Sequence, residues 1–444
     1  MFLRLRKPSV RVLSERTGIY YGWFIVAAGF LANLAYSEQF SAAYSVFVYH
    51  LGSSTGWTRT MLAGVKTAGR WTEALVAPGI GVLVDRYGAR WIMVAGGVLS
   101  GAALMLASTV EELWQLYLYV GVLAPLGGVC LGGFVTTVAV ANWFVLRRGT
   151  AIAIASMGMS FGTMVLPLVS SGLIEVWGWR SAWFILGAAV IAFTVPAALL
   201  VRRRPEDLGM RPDGLAATPE GAAPTKARQR QEALLAADVV WRHGDILRSR
   251  LMWIMVFAWG FAQFAMASTT LHMVPFFLDL GFPLVIAAGA LSLRSGIAMA
   301  LNPVWGQIIE RAPLKHAASV QFTLSAIGLG MWLLPPTPVT LLLGILFFGV
   351  GASGSQVIAE VIWASYYGRI SLGTVRGITY PIQTIFAGAG PLAVGLLYDL
   401  SGNYESSFAV LLGGCLLSAA LIQFARPPGR PRSGLPANPE SVVA

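Results

Sequence analysis

Six ionisable side chains stand inside otherwise apolar runs of this chain: Glu38, Lys66, Arg70, Glu73, Arg294 and Glu360. A charge at the centre of a bilayer costs roughly 3 kcal/mol on insertion scales, so each should face a polar cavity or a partner. Three are positive and three negative, so complete pairing is available. Lys66, Arg70 and Glu73 follow one another at spacings of four and three, which puts them on one stripe of a helix. With a turn centred near Ser54, antiparallel helices bring Glu38 and Arg70 to similar depth, and a Glu38–Arg70 or Glu38–Lys66 contact is expected. The chemistry implied is reversible binding. Arginine's planar fork suits a carboxylate, so Arg70 and Arg294, with Lys66, are the expected anion site. Arg294 lies roughly 16 Å into its span at 1.5 Å per residue, near the midplane. Glu38 or Glu73 is then the proton site, and protonation releases a cation to the substrate. The competing account is a buried ionic network that only fixes helix packing. Glu360, toward the inner end of its span, serves either as a further proton site or as a gate or packing pair. Asn33, Tyr36, Gln263, Asn302, Tyr380 and Gln383 are further candidates to line a cavity, although such residues more often serve packing. The sequence has no Gly-x-Ser-x-Gly and no phosphate loop, and its four histidines are scattered. An enzyme, a metal centre and a cofactor are therefore not expected.

The elements that must carry these residues follow from composition. The 444 residues are 56% hydrophobic and 11% charged, against roughly a quarter charged in soluble domains. The fold class expected is all-α and integral to the membrane. Twelve apolar spans are long enough to cross a bilayer, which takes about 20 residues each. They run over 22–48, 61–84, 91–108, 113–141, 150–174, 181–201, 251–278, 283–309, 317–334, 339–366, 377–400 and 405–424. Small residues, as in Gly349-Val-Gly351-Ala-Ser-Gly354, let such helices approach closely. The basic N-terminus followed by the first span reads as a membrane helix, because the apolar run is too long for a signal peptide and no small-residue cleavage site follows. Cys130 and Cys415 both fall inside spans, so no disulfide framework is expected.

The net charge of +11 is a topology signal. If both termini are cytoplasmic, only Arg59 and Arg180 fall outside, and Lys66, Arg70 and Arg294 lie within spans; every other Lys and Arg faces the cytoplasm. Nucleic-acid binding is excluded on that distribution.

The charged turn Gly81-Val82-Leu83-Val84-Asp85-Arg86-Tyr87-Gly88-Ala89-Arg90 returns in degenerate form as Gly306-Gln307-Ile308-Ile309-Glu310-Arg311, 225 positions later. Pro167, Glu175, Gly178 and Phe184 likewise recur as Pro391, Asp399, Gly402 and Phe408. Two parallel six-helix repeats place a substrate near the midplane between halves. The expected organisation is a bundle over 1–201, a cytoplasmic linker over 202–250, a second bundle over 251–424 and a tail over 425–444. Within the linker, 231–248 mixes apolar and charged residues, as an interfacial helix or a plain linker would.

With these residues in hand, the chain resembles the major facilitator superfamily across nearly its whole length. The 81–90 turn looks like that superfamily's loop between helices two and three. Tyr21-Gly22-Trp23, Gly56-Trp57-Thr58-Arg59, Trp143-Phe144-Val145-Leu146-Arg147-Arg148-Gly149, the 204–214 segment and Gly390-Pro391 with Tyr398-Asp399 resemble the monocarboxylate porter group in its bacterial branch. The resemblance implies a monomeric secondary transporter of small organic anions in a bacterial inner membrane, with protons or by exchange. It also implies that Gly81, Asp85, Arg86, Gly88 and Arg90 form a latch that holds the halves together on the inside. Three positions depart from the animal members: Asn302 stands where they have an arginine, Ala298 where they have an aspartate and Ala42 where they have a lysine. A small mono- or dicarboxylate is the substrate class expected, with proton symport first and exchange second. A zwitterion remains open, as does efflux of amphipathic compounds.

Overall fold

The computed structural model describes residues 20–39, 41–144, 148–210, 243–367 and 372–426. All the regular elements described are helical. They are α1 (Gly22–Gln39), α2 (Ser41–Thr55), α3 (Arg59–Tyr87), α4 (Ala89–Ala107), α5 (Leu113–Leu116), a π-helical stretch (Tyr117–Leu123), α6 (Ala124–Val129), α7 (Gly133–Ala141) and α8 (Arg148–Leu200). A short 3-10 turn (Pro205–Leu208) and α9 (His243–Arg248) precede α10 (Arg250–Asp279), α11 (Leu284–Arg311), α12 (Leu314–Met331), α13 (Pro338–Ser353), α14 (Ser355–Tyr367), α15 (Leu372–Ser401) and α16 (Glu405–Gln423). Each of the twelve apolar spans falls on helix. The fourth and tenth spans are segmented rather than continuous, and the second begins two residues earlier than the apolar pattern, at Arg59.

The breaks have local causes. Pro125 has no N–H to give the carbonyl of Gly121. The turn widens there into the π-helical stretch, and Gly121 O accepts from the Thr72 hydroxyl at 3.2 Å instead. α8 carries two spans folded at Gly178, whose φ of 76° suits only glycine. Gly402 turns the chain between α15 and α16 with a φ of 73°. Gly56 and Gly281, with φ of 76° and 86°, turn it before α3 and α11. These two glycine pairs are 224 and 225 positions apart, so the internal repeat is written in the backbone as well as in the charged turns.

The chain divides into two compact units: Met1–Trp57, Ala68–Thr218 and Pro283–Ser292 form one, and Thr58–Thr67, Pro219–Phe282 and Leu293–Ala444 form the other. Each has its own core. In the first unit Gly158 and Gly162, four apart on α8, lie where any side chain would meet the Phe30 and Leu34 carbonyls and Ser37 of α1. This is the close helix approach that small residues permit. In the second unit Gly351 and Gly354 do the same for α13 and the turn after it, against Ser325 of α12 and Trp305 of α11. The division departs from the 1–201/251–424 split of the sequence in one respect: the first turns of α3 belong with the second unit, and those of α11 with the first. Of the 231–248 linker segment only His243–Arg248 lies within the described residues, and it is helical.

Candidate functional site

In the second unit, Arg294 sits on α11 with 5% of its surface exposed. Its Nη1 donates to the hydroxyl of Thr270, on α10, at 2.8 Å. Its guanidinium carbon lies 6.0 Å from the centre of the Phe348 ring of α13. Among the described residues no carboxylate pairs with it, and its Nε is buried without a hydrogen-bond partner. An isolated buried ion is costly, and the cost is relieved by a paired anion. The Nε–H edge of a guanidinium is one of the two edges that take a carboxylate bidentately. Thr270 therefore fixes one side of this arginine, and the Nε on its other edge has no partner among the described residues.

In the first unit, Arg70 has a different arrangement. Its Nη1 donates to Glu73 Oε2 at 3.0 Å, one turn along α3. Arg70 and Glu73 share one stripe of α3, so this pair needs no second helix; the expected contact of Glu38 with Arg70 or Lys66 falls outside the described residues. The Glu38 side chain lies outside the described residues, as do those of Asp85 and Glu360. Lys66 is buried on the same stripe and has an interaction of its own.

The remaining candidates sort by partner. Asn33 is buried and its Nδ2 faces three acceptors, Gly29 O at 2.9 Å, Thr136 Oγ1 at 3.0 Å and Ala155 O at 3.2 Å. Its donors are consumed in joining α1, α7 and α8, so the structure uses Asn33 for packing. Tyr36 is buried, with its ring against Gly132. In the second unit, Gln383 accepts from Arg376 at 3.4 Å while its own Nε2 is buried without a partner, and Asn302 Oδ1 is buried and unpartnered as well. Those two amides keep binding capacity that Asn33 has spent. Gln263 is half-buried, and Tyr380 is 47% exposed beneath the Arg376 guanidinium.

The motif residues of the charged turn are placed as a helix junction. Gly88, with φ 79°, separates α3 from α4, and its N–H donates to Val84 O at 2.8 Å. Gly81 is within α3; Arg86 stacks on Tyr87, and Arg90 on Trp91 with its Nε buried. Two motifs distant in sequence, Tyr21-Gly22-Trp23 and the one that begins at Trp143, meet each other and the end of α8. Tyr21 lies 5.3 Å from Trp143, and Trp23 lies 5.2 Å from Phe144. Tyr21 Oη donates to Leu200 O at 2.6 Å and Trp143 Nε1 to Arg202 O at 3.0 Å, so the knot ties down the chain leaving α8. Gly22 is glycine because a side chain there would run into the Tyr20 and Phe144 rings. Residues 145–147 of the motif that begins at Trp143 lie outside the described residues.

The family model described as Major Facilitator Superfamily matches residues 25–391. The chain belongs to the major facilitator superfamily. It is therefore a multi-pass membrane transporter and not an enzyme. Among curated proteins it is similar to monocarboxylate transporter 12 of Rattus norvegicus, 26% identical over 423 residues that cover 91% of this chain and 85% of the relative. It is also similar to monocarboxylate transporter 6 of Mus musculus, 27% identical over 436 residues covering 93% and 88%. Among solved structures, the D-xylose–proton symporter matches with a TM-score of 0.69 at 15% identity, covering 92% of this chain and 98% of that one. A bacterial homologue of the human lysosomal transporter Spinster matches with a TM-score of 0.67 at 14% identity, covering 91% and 97%. At such identities these two share the fold.

Proposed function

We propose that this transporter moves a small organic anion bearing a carboxylate, coupled to protons, by alternating access. The observation that carries the reading is Arg294: a buried guanidinium oriented by Thr270, with no acid paired to it among the described residues and an unpartnered Nε. A neutral substrate would leave that charge uncompensated. The relatives named monocarboxylate transporters support a carboxylate as the anion. Arg70 is the second cation. At rest Glu73 neutralises it, and a proton on Glu73 frees it for the substrate. Glu38 and Glu360 stand as further proton sites, the half-satisfied amides of Asn302 and Gln383 as polar lining, and Asp85 with Gly81, Arg86, Gly88 and Arg90 as the latch. The distribution of Lys and Arg favours cytoplasmic termini, and a monomer in the plasma membrane is the proposed working unit.

Uptake of labelled mono- and dicarboxylates into proteoliposomes, with and without an inward proton gradient, tests this reading. Gradient-stimulated uptake of one of them is expected. Gradient-independent uptake that needs a carboxylate inside would replace symport by exchange. Uptake of zwitterions but of no carboxylate would overturn the anion reading.

A further inference from the structure

Three arginines in a row, Arg202, Arg203 and Arg204, follow α8, and their backbone is pinned. Trp143 Nε1 donates to Arg202 O at 3.0 Å, and Asn142 Nδ2 donates to Arg203 O at 3.3 Å. Pro205 is buried, and the 3-10 turn it opens closes at Gly209, whose φ is 69°. Arg202 Nη1 donates to Leu199 O at 2.8 Å and to Val201 O at 3.2 Å. A cation is favoured there, because the last carbonyls of a helix lack partners and carry its negative end. The three side chains are thus presented from a fixed segment.

They line one cavity of about 130 Å³, together with Gly88 and Ala89 at the start of α4 and Asn142 just past α7. All six residues belong to the first unit. No acid lines the cavity, and Glu206 and Asp207, the next acids along the chain, are exposed outside it. Arg90 lies within electrostatic reach of Arg202, and its Nε is buried without a partner. Among the described residues Arg90, Arg202 and Arg204 enter no ion pair. Like charges gathered round a cavity repel one another, and an entering anion relieves that repulsion. The repeat does not require the cluster. Shifted by 224, Arg202, Arg203 and Arg204 correspond to Arg426, Pro427 and Pro428, and Gly88 and Asn142 to Ala312 and Tyr366.

We infer that this cavity binds a phosphate-type anion, the phosphodiester of an anionic lipid headgroup or free inorganic phosphate, through Arg202, Arg203 and Arg204. A guanidinium meets two phosphoryl oxygens at once with its planar fork. A phosphoryl group offers more acceptor oxygens than a carboxylate, so it can take donors from several arginines together. Arg203 and Arg204 are exposed and Arg202 is half-buried, so the cavity opens to the surface. In a membrane protein, a basic pocket between helix ends suits an anionic headgroup. The inference does not depend on what is carried.

The test uses full-length, monodisperse protein in detergent. Native mass spectrometry compares binding of phosphatidylglycerol with that of phosphatidylcholine. Phosphatidylglycerol is expected to bind more tightly, and Arg202→Gln and Arg204→Gln are each expected to weaken it about fivefold. Arg248→Gln, at an exposed arginine of the second unit, is expected to leave it unchanged. Inorganic phosphate is the second arm, read as a rise in the thermal midpoint over chloride at equal ionic strength. A lipid preference without a phosphate effect assigns the site to the headgroup, and the reverse assigns it to the free ion; either supports the inference if it needs the arginines. Should Arg202→Gln fail to fold, Arg204→Gln carries the test, because Arg204 is exposed. Equal binding of the two lipids, with phosphate no better than chloride, would overturn the site. So would a preference that survives both substitutions or falls as far with Arg248→Gln.

Discussion

Arg294 and Arg70 are arginines of the same kind of place, each carried within a helix of a different unit, yet they are neutralised differently. Arg70 has Glu73 one turn away at 3.0 Å, a counter-ion carried on its own helix. Arg294 has a hydroxyl, an aromatic ring and no carboxylate among the described residues. A site that supplies its own counter-ion can respond to a proton, because protonating the acid releases the base. A site that supplies none can respond only to an incoming anion. On the function proposed here, the two arginines divide the labour of a proton-coupled anion carrier.

The largest effect that would break this comparison is at Arg294. Arg294→Gln is expected to lower carboxylate uptake at least about 100-fold, since losing a buried charge-assisted contact costs about 3 kcal/mol. An uptake rate within a few-fold of the parent would show that the unpaired arginine is not the anion site. Arg70→Gln should cost less, roughly tenfold in uptake, because only the released fraction of this cation meets substrate; initial-rate kinetics at saturating substrate measure it. Glu73→Gln sharpens the contrast. Uptake should persist without a gradient, but the stimulation by an inward proton gradient should vanish; a retained response would move the proton site away from Glu73. The smallest effect is expected from Thr270→Val, which removes the hydroxyl that orients Arg294. A rise in KM of about two- to tenfold, with the maximal rate little changed, corresponds to one hydrogen bond of about 0.5–1.5 kcal/mol.

Much of the fold was legible because its signals are local. Twelve apolar runs, the charge of their connecting turns and a repeat of about 225 residues all survive in a single sequence. The paired glycines carry the same repeat: Gly178 and Gly402 stand out in the sequence because Pro167, Glu175 and Phe184 recur with them, whereas Gly56 and Gly281 pair only through their positive φ. The site was legible as a set of charges but not as a set of partners. Arg294 announces itself as a cation in an apolar run, whereas Thr270, 24 residues earlier on another helix, is one hydroxyl among several until α10 and α11 are packed. Asn33 looked like a ligand for the opposite reason: nothing in the sequence reveals that Gly29, Thr136 and Ala155 occupy its amide. The Arg59–Asp279–Asp399 cluster, in which Arg59 pairs with Asp279 at 2.8 Å and Asp399 accepts the backbone N–H of Arg59 at 3.2 Å, was the hardest to see. Arg59 and its acids are 220 and 340 residues apart, and only the substitution of Arg59 by Leu284 and of Asp279 by Ser54 across the repeat gave a hint.

Counterflow of a labelled carboxylate in proteoliposomes, with no proton gradient, tests the central claim most directly, because it reads the anion site apart from the coupling. Wild type, Arg294→Lys and Arg294→Gln would be compared. Counterflow in the wild type, strongly reduced by lysine, which keeps the charge and loses the fork, and abolished by glutamine, is the predicted result. Wild-type counterflow that survives undiminished in Arg294→Gln would contradict it.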